Sequence, residues 1–444
     1  MYQYAEHVKQ KQKIYQNALL KAGFSRWLIG AGALHYQFRD DISYPFATNA
    51  YFREWLPLLQ RPDCFIGLAP EKDQPILFLK VVDDFWHSDP EPLPEDIHNV
   101  FQIVEFAEVD SLHDYFVMDK NTVYLGPTLG NQPSFLGDVT LNDEGAIAYV
   151  DYHRAYKTEY EVDAMRNANR VAVLGHLAAK NGFEAGESEL DIHLRYLQAV
   201  RAKDEELPYH NIVGLNENAA VLHHNHLQKH SPAVHRSMLI DAGAQYLGYA
   251  SDITRTYATD NATDNASAEY KALINAVETL QLQLLDDLAI GVDYVQLHRR
   301  THEYIAGALI EIGVLTGSVE SAVNSGITRA FFPHGLGHLI GTQVHDKGGH
   351  LANENGELRA PPAEHPFLRC TRTLESGMAF TIEPGIYIIE SLLAPWRTKV
   401  DSGVNWALVE ALAPYGGVRI EDDIVITEKG IENLTRNAFS AAVG

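Results

Sequence analysis

The fold of this chain is decided by one stretch, Met238-Leu-Ile-Asp241-Ala-Gly-Ala-Gln245-Tyr-Leu-Gly248-Tyr-Ala-Ser-Asp252-Ile-Thr254. Its apolar residues predict two strands around a turn at residues 245–248, yet each strand contains an aspartate where a buried sheet favours valine or isoleucine. A symmetric turn centred between residues 246 and 247 predicts that Asp241 and Asp252 lie directly opposite each other. Carboxylates in such a pair repel each other, because their Cβ atoms are only about 4.5–5.5 Å apart. We therefore expect a shared proton or bound cations to neutralise the pair.

Two glutamates repeat this pattern further along the chain. Glu383 lies in Phe380-Thr-Ile-Glu383-Pro-Gly-Ile-Tyr, and Glu421 lies in Gly417-Val-Arg-Ile-Glu421-Asp-Asp-Ile-Val-Ile. Any one of these acids could occupy a sheet edge or form a turn hydrogen bond. Four acids in four apolar strands are better explained by a common site, so the sequence predicts that they face one another.

The histidines near residue 335 favour the same site. The segment Phe332-Pro-His334-Gly-Leu-Gly-His338-Leu-Ile-Gly341 places two histidines among three glycines, and His345 follows. So much glycine disfavours a helix and favours tight backbone packing beside a site. Two Asp, two Glu and one or more His form an oxygen-rich ligand set that suits Mn²⁺, Co²⁺, Fe²⁺ or Zn²⁺ in a dinuclear centre. Such paired ions generate hydroxide at neutral pH, so the residues alone predict a dimetal hydrolase of unidentified substrate.

The composition excludes several classes of protein. The chain has 444 residues, 46% of them hydrophobic, so it buries a sizeable core and is not intrinsically disordered. Its 35 Lys and Arg against 59 Asp and Glu give a net charge of −24, which argues against nucleic acid or an anionic membrane surface as the main partner. Two cysteines, Cys64 and Cys370, leave one disulfide open but favour a reducing compartment. With no signal peptide and no apolar run of about 18 residues, we expect a cytoplasmic protein.

Residues 1–155 are predicted to form the first domain, with mixed helices and strands. An opening amphipathic helix precedes short strands at 27–30, 64–68, 76–82 and 123–125, and a proline-rich loop at 88–95. A capping box of Thr158 and Glu161 then begins a long helix that Asn181 and Gly182 are expected to end. Ser188 begins the next helix in the same way.

Residues 156–444 are predicted to form the second domain. We expect strands at 209–213, 236–244, 248–257, 379–389 and 418–427, and two long helices at 266–290 and 294–315. Residues 350–369 contain three prolines and charged residues, and are predicted to be a loop. The whole chain is therefore predicted to have an α+β fold.

These motifs resemble those of the bacterial Xaa-Pro dipeptidases (prolidases) of the pita-bread metallopeptidase family, especially the subgroup of the organophosphorus acid anhydrolases. The similarity includes Asp40-Asp41-x-x-Tyr44-Pro-Phe46 and Arg154-x-Tyr156-Lys157-Thr158-x-Tyr160-Glu161. The most specific segments stand in the family's order: Leu239-Ile-Asp-Ala-Gly, Asp252-Ile-Thr-Arg-Thr, Pro333-His-Gly-Leu-Gly-His, Thr381-Ile-Glu-Pro-Gly and Gly417-Val-Arg-Ile-Glu. The resemblance implies a creatinase-like α/β domain followed by a catalytic pita-bread domain.

The resemblance also implies a metal centre and an assembly. Asp241, Asp252, His338, Glu383 and Glu421 would bind two divalent ions per subunit, usually Mn²⁺ in this family. Asp252 and Glu421 would bridge the ions, Asp241 would bind one of them, and His338 with Glu383 the other. A homodimer or a larger assembly is expected, in which Asp41 reaches into the partner's active site.

The activity implied by the resemblance is hydrolysis of Xaa-Pro dipeptides by a metal-activated hydroxide. Glu383 would accept the proton of the attacking water. His334 would stabilise the oxyanion or, alternatively, hold the backbone beside the glycines. His345 is a further catalytic candidate.

Other residues are implied to bind the substrate or to position the ligands. His223, His345 and Arg369 would bind the proline carboxylate, although Arg369 could instead form a loop salt bridge. Tyr209 is a weaker candidate for the pocket. Arg419 and Thr254 would orient the ligand carboxylates from behind.

Alternative functions stay open at this point. An aminopeptidase of the same fold would act on longer Xaa-Pro peptides, and a non-catalytic binding module would lack metals. A dimetal hydroxide attacks acyl and phosphoryl centres alike, so side activity on organophosphorus triesters or fluorides is also expected. Retention of every ligand type argues against the binding module.

Overall fold

The computed structural model of the chain describes residues 2–57, 60–81, 85–86, 92–128, 134–260, 266–399 and 401–443. These residues form two compact units. Unit 1 consists of Met1–Ala164 with Asn353–Glu357, and unit 2 consists of Met165–Ala352 with Leu358–Gly444. The domain boundary between residues 155 and 156 stays a prediction. Within the described ranges, no helix is long and apolar enough to cross a lipid bilayer.

Unit 1 is built on a six-stranded mixed sheet. Its strands are β1 (Arg26–Gly30), β2 (Phe65–Leu68), β3 (Ile76–Lys80), β4 (Gln102–Phe106), β5 (Thr122–Leu125) and β6 (Thr140–Leu141), in the spatial order β4-β3-β2-β1-β5-β6. The β1–β2 and β2–β3 pairs are antiparallel, and the other pairs are parallel. The helices are α1 (Tyr2–Ala22), α2 (Ala50–Arg53), α3 (Glu95–Val100) and α4 (Glu144–Arg154), and α5 (Glu159–Glu184) begins here.

The sequence predicts the central strands of this sheet and misses its edges. The four predicted strands overlap β1, β2, β3 and β5, whose residues are almost all buried, and residue 82 of the predicted strand 76–82 lies outside the described residues. Strand β4 is only partly buried and β6 has only two residues, so neither has a clear apolar pattern. The predicted loop at 88–95 lies partly outside the described residues. Its described part has no regular structure before α3 begins at Glu95.

A buried group of charges joins the helices of unit 1. The Lys11 ammonium lies 3.0 Å from a carboxylate oxygen of Glu161 and 3.5 Å from one of Glu54, and Arg154 lies 3.4 Å from Glu54. Glu161 also completes the predicted capping box, because it accepts from Thr158 N at 2.8 Å while Thr158 Oγ1 accepts from Glu161 N at 3.3 Å. Burial disfavours the charge of Glu161, but Lys11 and His7 outweigh it and lower its pKa to about 2.

Replacing Glu161 with Gln should therefore destabilise the protein in a pH-dependent way. At pH 7 the free energy of unfolding should fall by about 3–5 kcal/mol, because Lys11 loses a buried partner. Glu161 has a folded pKa below its ordinary value of 4.5, so its contribution is complete above that pH and declines as the pH falls toward 2. Urea unfolding should show the difference between E161Q and wild type shrinking over this range. An equal difference at pH 7 and pH 3, or an equal loss in the exposed control Glu159→Gln, would contradict this assignment.

Unit 2 contains the remaining helices and strands. The strands are β7 (Ile212–Leu215), β8 (Ser237–Asp241), β9 (Gln245–Tyr246), β10 (Tyr249–Ala250), β11 (Thr254–Ala258), β12 (Ala379–Ile382), β13 (Gly385–Tyr387), β14 (Gly417–Arg419), β15 (Asp422–Thr427) and β16 (Gly430–Asn433). The helices are α6 (Glu189–Val200), α7 (Ser267–Asp286), α8 (Tyr294–Glu311), α9 (Val319–Ser325), α10 (Thr328–Phe331), α11 (Glu390–Arg397), α12 (Trp406–Leu412) and α13 (Leu434–Val443). The strands form the sheets β11-β8-β7 and β12-β15-β16 and the pairs β13-β14 and β10-β9.

Every predicted helix and strand of this unit overlaps an observed one. Residues 350–369 contain no helix and no extended strand, as predicted, apart from an isolated bridge between Leu351 and Leu358. The Ser188 hydroxyl caps α6 by accepting from Asp191 N at 3.2 Å, also as predicted. The predicted end of α5 is wrong, because the helix continues to Glu184 and the backbone turns only at Gly186, which has a φ of 77°.

The register of the hairpin that contains the two aspartates also differs from the prediction. Asp241 pairs with Thr254, not with Asp252, because the turn is centred on Leu247 and Gly248. Both residues have positive φ, at 49° and 83°, which is the geometry of a tight two-residue hairpin turn. Leucine rarely adopts this conformation, so the sequence pattern placed the centre one residue too early. Asp252 still lies on the same side as Asp241, because it precedes Thr254 by two residues.

Candidate metal centre

The four predicted carboxylates lie at the ends and breaks of strands rather than in their middles. Asp241 is the last residue of β8, and Asp252 lies between β10 and β11. Glu383 follows β12, and Glu421 separates β14 from β15. The expectation of mid-strand positions is therefore wrong in detail. At these breaks the regular ladder is interrupted, and an isolated bridge between Thr254 and Glu421 joins the two halves of the site.

The side chains from these breaks converge. Asp252 Oδ2 lies 3.3 Å from Nε2 of His338, and Glu383 Oε1 lies 3.6 Å from the same nitrogen. Asp252, His338 and Glu421 each offer a ligand atom within 4.8 Å of the others, and their exposed fractions are only 5%, 3% and 2%. The structure thus brings together residues that are 169 positions apart in sequence, from Asp252 to Glu421.

The orientation of His338 suits a metal ligand. Its Nδ1 lies 3.0 Å from the carbonyl oxygen of Leu339, which can only accept, so Nδ1 carries the hydrogen. Nε2 is then the nitrogen directed at Asp252 and Glu383. Burial disfavours the charged ring, but these two carboxylates raise the pKa of His338 to about 9. The site therefore holds a positive charge at this position, supplied by a proton or by a cation.

Arg419 lies behind the carboxylates, as the resemblance implies. Its guanidinium donates to Asp241 Oδ2 at 2.6 Å, to Thr254 Oγ1 at 3.1 Å and to the Tyr387 hydroxyl at 2.9 Å. Thr254 in turn donates to Glu421 Oε2 at 2.7 Å. One buried arginine therefore orients two of the acids, one directly and one through Thr254.

The residues fit a pair of divalent cations. Four carboxylates face one arginine, which leaves a formal charge of −3 before His338 is counted. Oδ1 of Asp241 is buried and, among the described residues, has no hydrogen-bond partner. Burial and the neighbouring acids raise the pKa of Glu383 to about 7 and raise the pKa of Glu421 well above its ordinary value. A hard or borderline cation would bind such an unpartnered carboxylate oxygen and offset the excess negative charge of the site.

A second buried aspartate supports the site and was missed from the sequence. Asp423 Oδ2 accepts from the backbone N–H of Asp252 at 3.1 Å and from Asn169 Nδ2 at 2.8 Å. Thr435 joins the group, because its hydroxyl donates to Asn169 Oδ1 at 2.7 Å while accepting from Asp423 N. Asp423 stands two residues after Glu421 in an apolar strand, which is a signal that could have found it. Asn169 lies on α5 and has no comparable signal.

His334 is held at both ring nitrogens. Nδ1 lies 2.8 Å from the carbonyl oxygen of Gly335, so it donates there, and Nε2 accepts from the Tyr387 hydroxyl at 2.8 Å. Nδ1 also lies 3.7 Å from Glu383 Oε2. Burial and Arg419 lower the pKa of His334 to about 3, so the ring is neutral. Tyr387 links His334 to Arg419 and was not predicted, since nothing in its local sequence marks it.

Two of the predicted substrate residues contact this centre directly, and the other two are exposed. Tyr209 donates to Asp252 Oδ1 at 2.6 Å, and the His345 ring packs on His338 with centroids 4.3 Å apart. His223 and Arg369 are exposed, and both are close enough to lower the pKa of His345. Within the described ranges, Arg369 forms no salt bridge, so the alternative of a loop salt bridge has no support.

Gly335 explains how the loop that contains Arg369 approaches the site. A Cβ atom on Gly335 would lie 3.0 Å from the Leu368 Cα, 3.0 Å from the Phe367 carbonyl oxygen and 3.4 Å from the Arg369 nitrogen. Any side chain there would displace the loop backbone. The glycine-rich segment therefore packs closely beside a site, as the sequence predicts. Asp41 belongs to unit 1, where its backbone nitrogen donates to Asp40 Oδ1 at 2.8 Å.

Comparison with known proteins gives family matches over most of the chain. Residues 163–428 match Metallopeptidase family M24, and residues 2–152 match the family described as Xaa-Pro dipeptidase, N-terminal domain. The chain belongs to metallopeptidase family M24. Its N-terminal match places it with the bacterial prolidases of this pita-bread family. The predicted family, the predicted α+β fold class and the predicted enzyme class, a metallo-exopeptidase hydrolase, are confirmed.

Individual M24 relatives cover nearly the full length of the chain. The Xaa-Pro dipeptidase of Shewanella baltica (strain OS223) is 42% identical over 437 residues, which cover 98% of this chain and 97% of the relative. That of Pseudoalteromonas translucida (strain TAC 125) is 42% identical over 436 residues, which cover 98% of each.

Solved structures of aminopeptidase P share the fold. Proline aminopeptidase P II from Yersinia pestis aligns with a TM-score of 0.71 at 24% identity, over 96% of each chain. Zinc-substituted Escherichia coli aminopeptidase P in complex with product aligns with a TM-score of 0.72 at 24% identity, over 99% of this chain and 98% of that one. At this identity the likeness shows the fold alone.

Replacing one acid with a neutral residue should affect the thermal stability of the metal-free and metal-loaded protein differently. Glu421→Gln keeps an acceptor for the Thr254 hydroxyl but removes one of the four negative charges. Without metal, E421Q should unfold at the wild-type temperature or above, because the repulsion is smaller. With Mn²⁺, the stabilisation of wild type, about 2.7 kcal/mol at 100 times Kd, should be largely lost in E421Q.

Thermal unfolding in chelator and in excess Mn²⁺ measures both effects. The exposed control Glu428→Gln should behave as wild type in both conditions. A full Mn²⁺-induced shift in E421Q would contradict the assignment of Glu421 as a ligand.

Proposed function

We propose that this protein hydrolyses Xaa-Pro dipeptides with the help of two divalent cations bound by Asp241, Asp252, His338, Glu383 and Glu421. The observation that best supports the proposal is the convergence of four carboxylates from four strand breaks on one largely buried pocket. Relatives of the same length, 42% identical, are named Xaa-Pro dipeptidases. The family and the pocket together support this substrate class over the others considered.

The cations divide between the ligands as the resemblance implies. Asp252 and Glu421 would hold both ions, Asp241 would hold one of them, and His338 with Glu383 would hold the other. The mutual proximity of Asp252, His338 and Glu421 supports this division, as does the free Oδ1 of Asp241. Mn²⁺ is our proposed metal, because the donors are mainly carboxylate oxygens. When bound, the cations supply Lewis acidity that lowers the pKa of a coordinated water and polarises the scissile carbonyl.

Glu383 is the proposed proton acceptor. Its Oε1 lies 3.6 Å from His338 Nε2 and its Oε2 lies 3.7 Å from His334 Nδ1. Burial raises its pKa to about 7, which is the range in which a carboxylate both takes and returns a proton at neutral pH. Glu383 would therefore take a proton from the attacking water and deliver it to the proline nitrogen as the peptide bond breaks.

His334 has two possible roles, and the contacts favour one of them. Its N–H is already donated to Gly335 O, and its other nitrogen accepts from Tyr387. To stabilise an oxyanion, the ring would have to give up the Gly335 contact. The positioning role, in which His334 and Tyr387 continue the chain of contacts from Arg419, needs no such change.

Arg369, His223 and His345 are the proposed partners of the proline carboxylate. The three side chains are close together, since His223 and Arg369 both lower the pKa of His345. Arg369 is exposed and forms no salt bridge within the described part of the chain, so its guanidinium is free to bind a bidentate anion. Such a carboxylate requirement restricts hydrolysis to dipeptides, while Tyr209 lines the pocket beside Asp252.

Three broader features are also proposed. The subunits form a homodimer or a larger assembly, in which Asp41 reaches the partner's active site. The enzyme has side activity on organophosphorus triesters or fluorides, since the cation pair does not distinguish acyl from phosphoryl centres. The location is cytoplasmic, which the two free, buried thiols of Cys64 and Cys370 support.

A substrate panel tests the dipeptidase assignment. The Mn²⁺-loaded enzyme should cleave the dipeptide Ala-Pro much faster than the tripeptide Ala-Pro-Ala, and should turn over a fluorophosphonate slowly. Cleavage of the tripeptide at the rate of the dipeptide would favour an aminopeptidase. No turnover of any substrate, with no metal retained, would favour a binding module.

Replacing Arg369 with Ala isolates the carboxylate contact. A charge-assisted hydrogen bond contributes about 1.5–3 kcal/mol, so kcat/KM for Ala-Pro should fall about 10- to 150-fold. The fluorophosphonate has no carboxylate, so its turnover should change little. The exposed control Lys429→Ala should affect neither substrate. Equal losses on both substrates in R369A would remove the proposed role of Arg369.

A further inference from the structure

Three histidines form a second cluster in unit 2, outside the carboxylate centre. His298 and His302 lie one turn apart on α8 and so face the same side, and His365 comes from the loop that precedes Arg369. The ring centroids are separated by 4.4 Å for His298 and His365, 4.6 Å for His302 and His365, and 4.9 Å for His298 and His302. One nitrogen of each ring lies within 4.8 Å of the others.

Two nitrogens of this cluster are buried and have no hydrogen-bond partner among the described residues. His298 is 1% exposed and His302 is 2% exposed. Nδ1 of His298 and Nε2 of His302 have no hydrogen bond within the described part of the chain. Leaving a buried polar atom unpaired costs about 1–3 kcal/mol. These two nitrogens are therefore available to bind a further group.

The surroundings hold the rings in a form that can bind a cation. Nδ1 of His302 lies 3.1 Å from Thr328 Oγ1, so a hydrogen donated there leaves Nε2 as a free lone pair. The Phe332 ring packs on both His298 and His302, at 5.8 and 5.3 Å, and excludes water from that side. Burial lowers the pKa of all three histidines, to about 3 for His302, so the rings are neutral as metal ligands must be.

We propose that His298, His302 and His365 form a separate metal site that binds Zn²⁺ or a similar borderline cation through three imidazole nitrogens. Three nitrogens without a carboxylate select against Mn²⁺ and in favour of Zn²⁺, so the two sites of this unit differ in metal preference. Small rotations of the rings would bring the nitrogens to the separation of about 3.4 Å that Zn–N bonds of about 2.0–2.1 Å require. The fourth position stays open to solvent on the His365 side, where the loop is only partly buried.

A cation at this site would fasten the loop to α8. His365 O accepts from Leu368 N at 3.2 Å, and Arg369 is the next residue. Phe332 also contacts His334, with ring centroids 4.6 Å apart, so the cluster borders the carboxylate centre through one aromatic ring. The metal site itself is independent of the proposed function. Its effect on Arg369, and through it on dipeptide binding, rests on that function.

Counting metals in the Mn²⁺-loaded protein tests the site. Protein loaded with Mn²⁺ is mixed with a small excess of Zn²⁺, freed of unbound metal by gel filtration, and analysed for Mn and Zn together. Wild type should retain one more metal ion per chain than His365→Ala, which changes a partly buried loop residue. His230→Ala removes an exposed histidine and is the control for adventitious surface binding, so it should retain the wild-type amount.

The outcomes separate the proposal from its competitors. Exchange of Zn²⁺ into the carboxylate centre replaces Mn²⁺ and leaves the total unchanged, so it does not imitate a third ion. Equal totals in wild type and H365A, or equal losses in H365A and H230A, would overturn the proposal. Circular dichroism checks that H365A is folded, and His298→Asn, a second ligand variant, should show the same loss of one ion. The count does not depend on peptide hydrolysis, so failure of the dipeptidase assignment would leave it interpretable.

Discussion

The mutual repulsion of four carboxylates, of which Asp252 and Glu421 are buried and Asp241 and Glu383 partly buried, is the constraint on which the site depends. Asp241, Asp252, Glu383 and Glu421 converge from separate strand breaks, and the Arg419 guanidinium donates to the Asp241 carboxylate. Carboxylates without sufficient compensation would move apart or take up protons. The pocket persists as a charged site only if cations occupy it, and the M24 family to which the chain belongs uses metal ions for peptide hydrolysis.

Neutral and charged hydrogen bonds from neighbouring side chains hold the acids in place. Arg419 orients Asp241 and, through Thr254, Glu421. Asp423 and Asn169 hold the backbone of Asp252. These contacts fix the acids before a cation binds, which reduces the entropy lost on binding. The proposed site of His298, His302 and His365 would instead use three neutral imidazole nitrogens, which favour a softer cation in the same unit.

The sequence predicted which acids come together better than it predicted their register. Acidic residues in apolar strands are conspicuous because burial of a charge is costly, so Asp241, Asp252, Glu383 and Glu421 stand out. Their register depends on a turn in which Leu247 adopts a positive φ, and no local preference predicts that. Tyr387 and Asn169 act through contacts between distant segments and leave no periodic signal. The resemblance to the prolidases supplied the ligand division and the substrate, which residue chemistry alone left open.

Titration of the metal-free protein with Mn²⁺ tests whether hydrolysis requires two bound cations. Turnover of Ala-Pro and bound metal are measured in the same samples. We expect no turnover without metal and full turnover only when two ions are bound per chain. Full turnover by metal-free protein, or saturation of binding and activity at a single ion, would contradict this expectation.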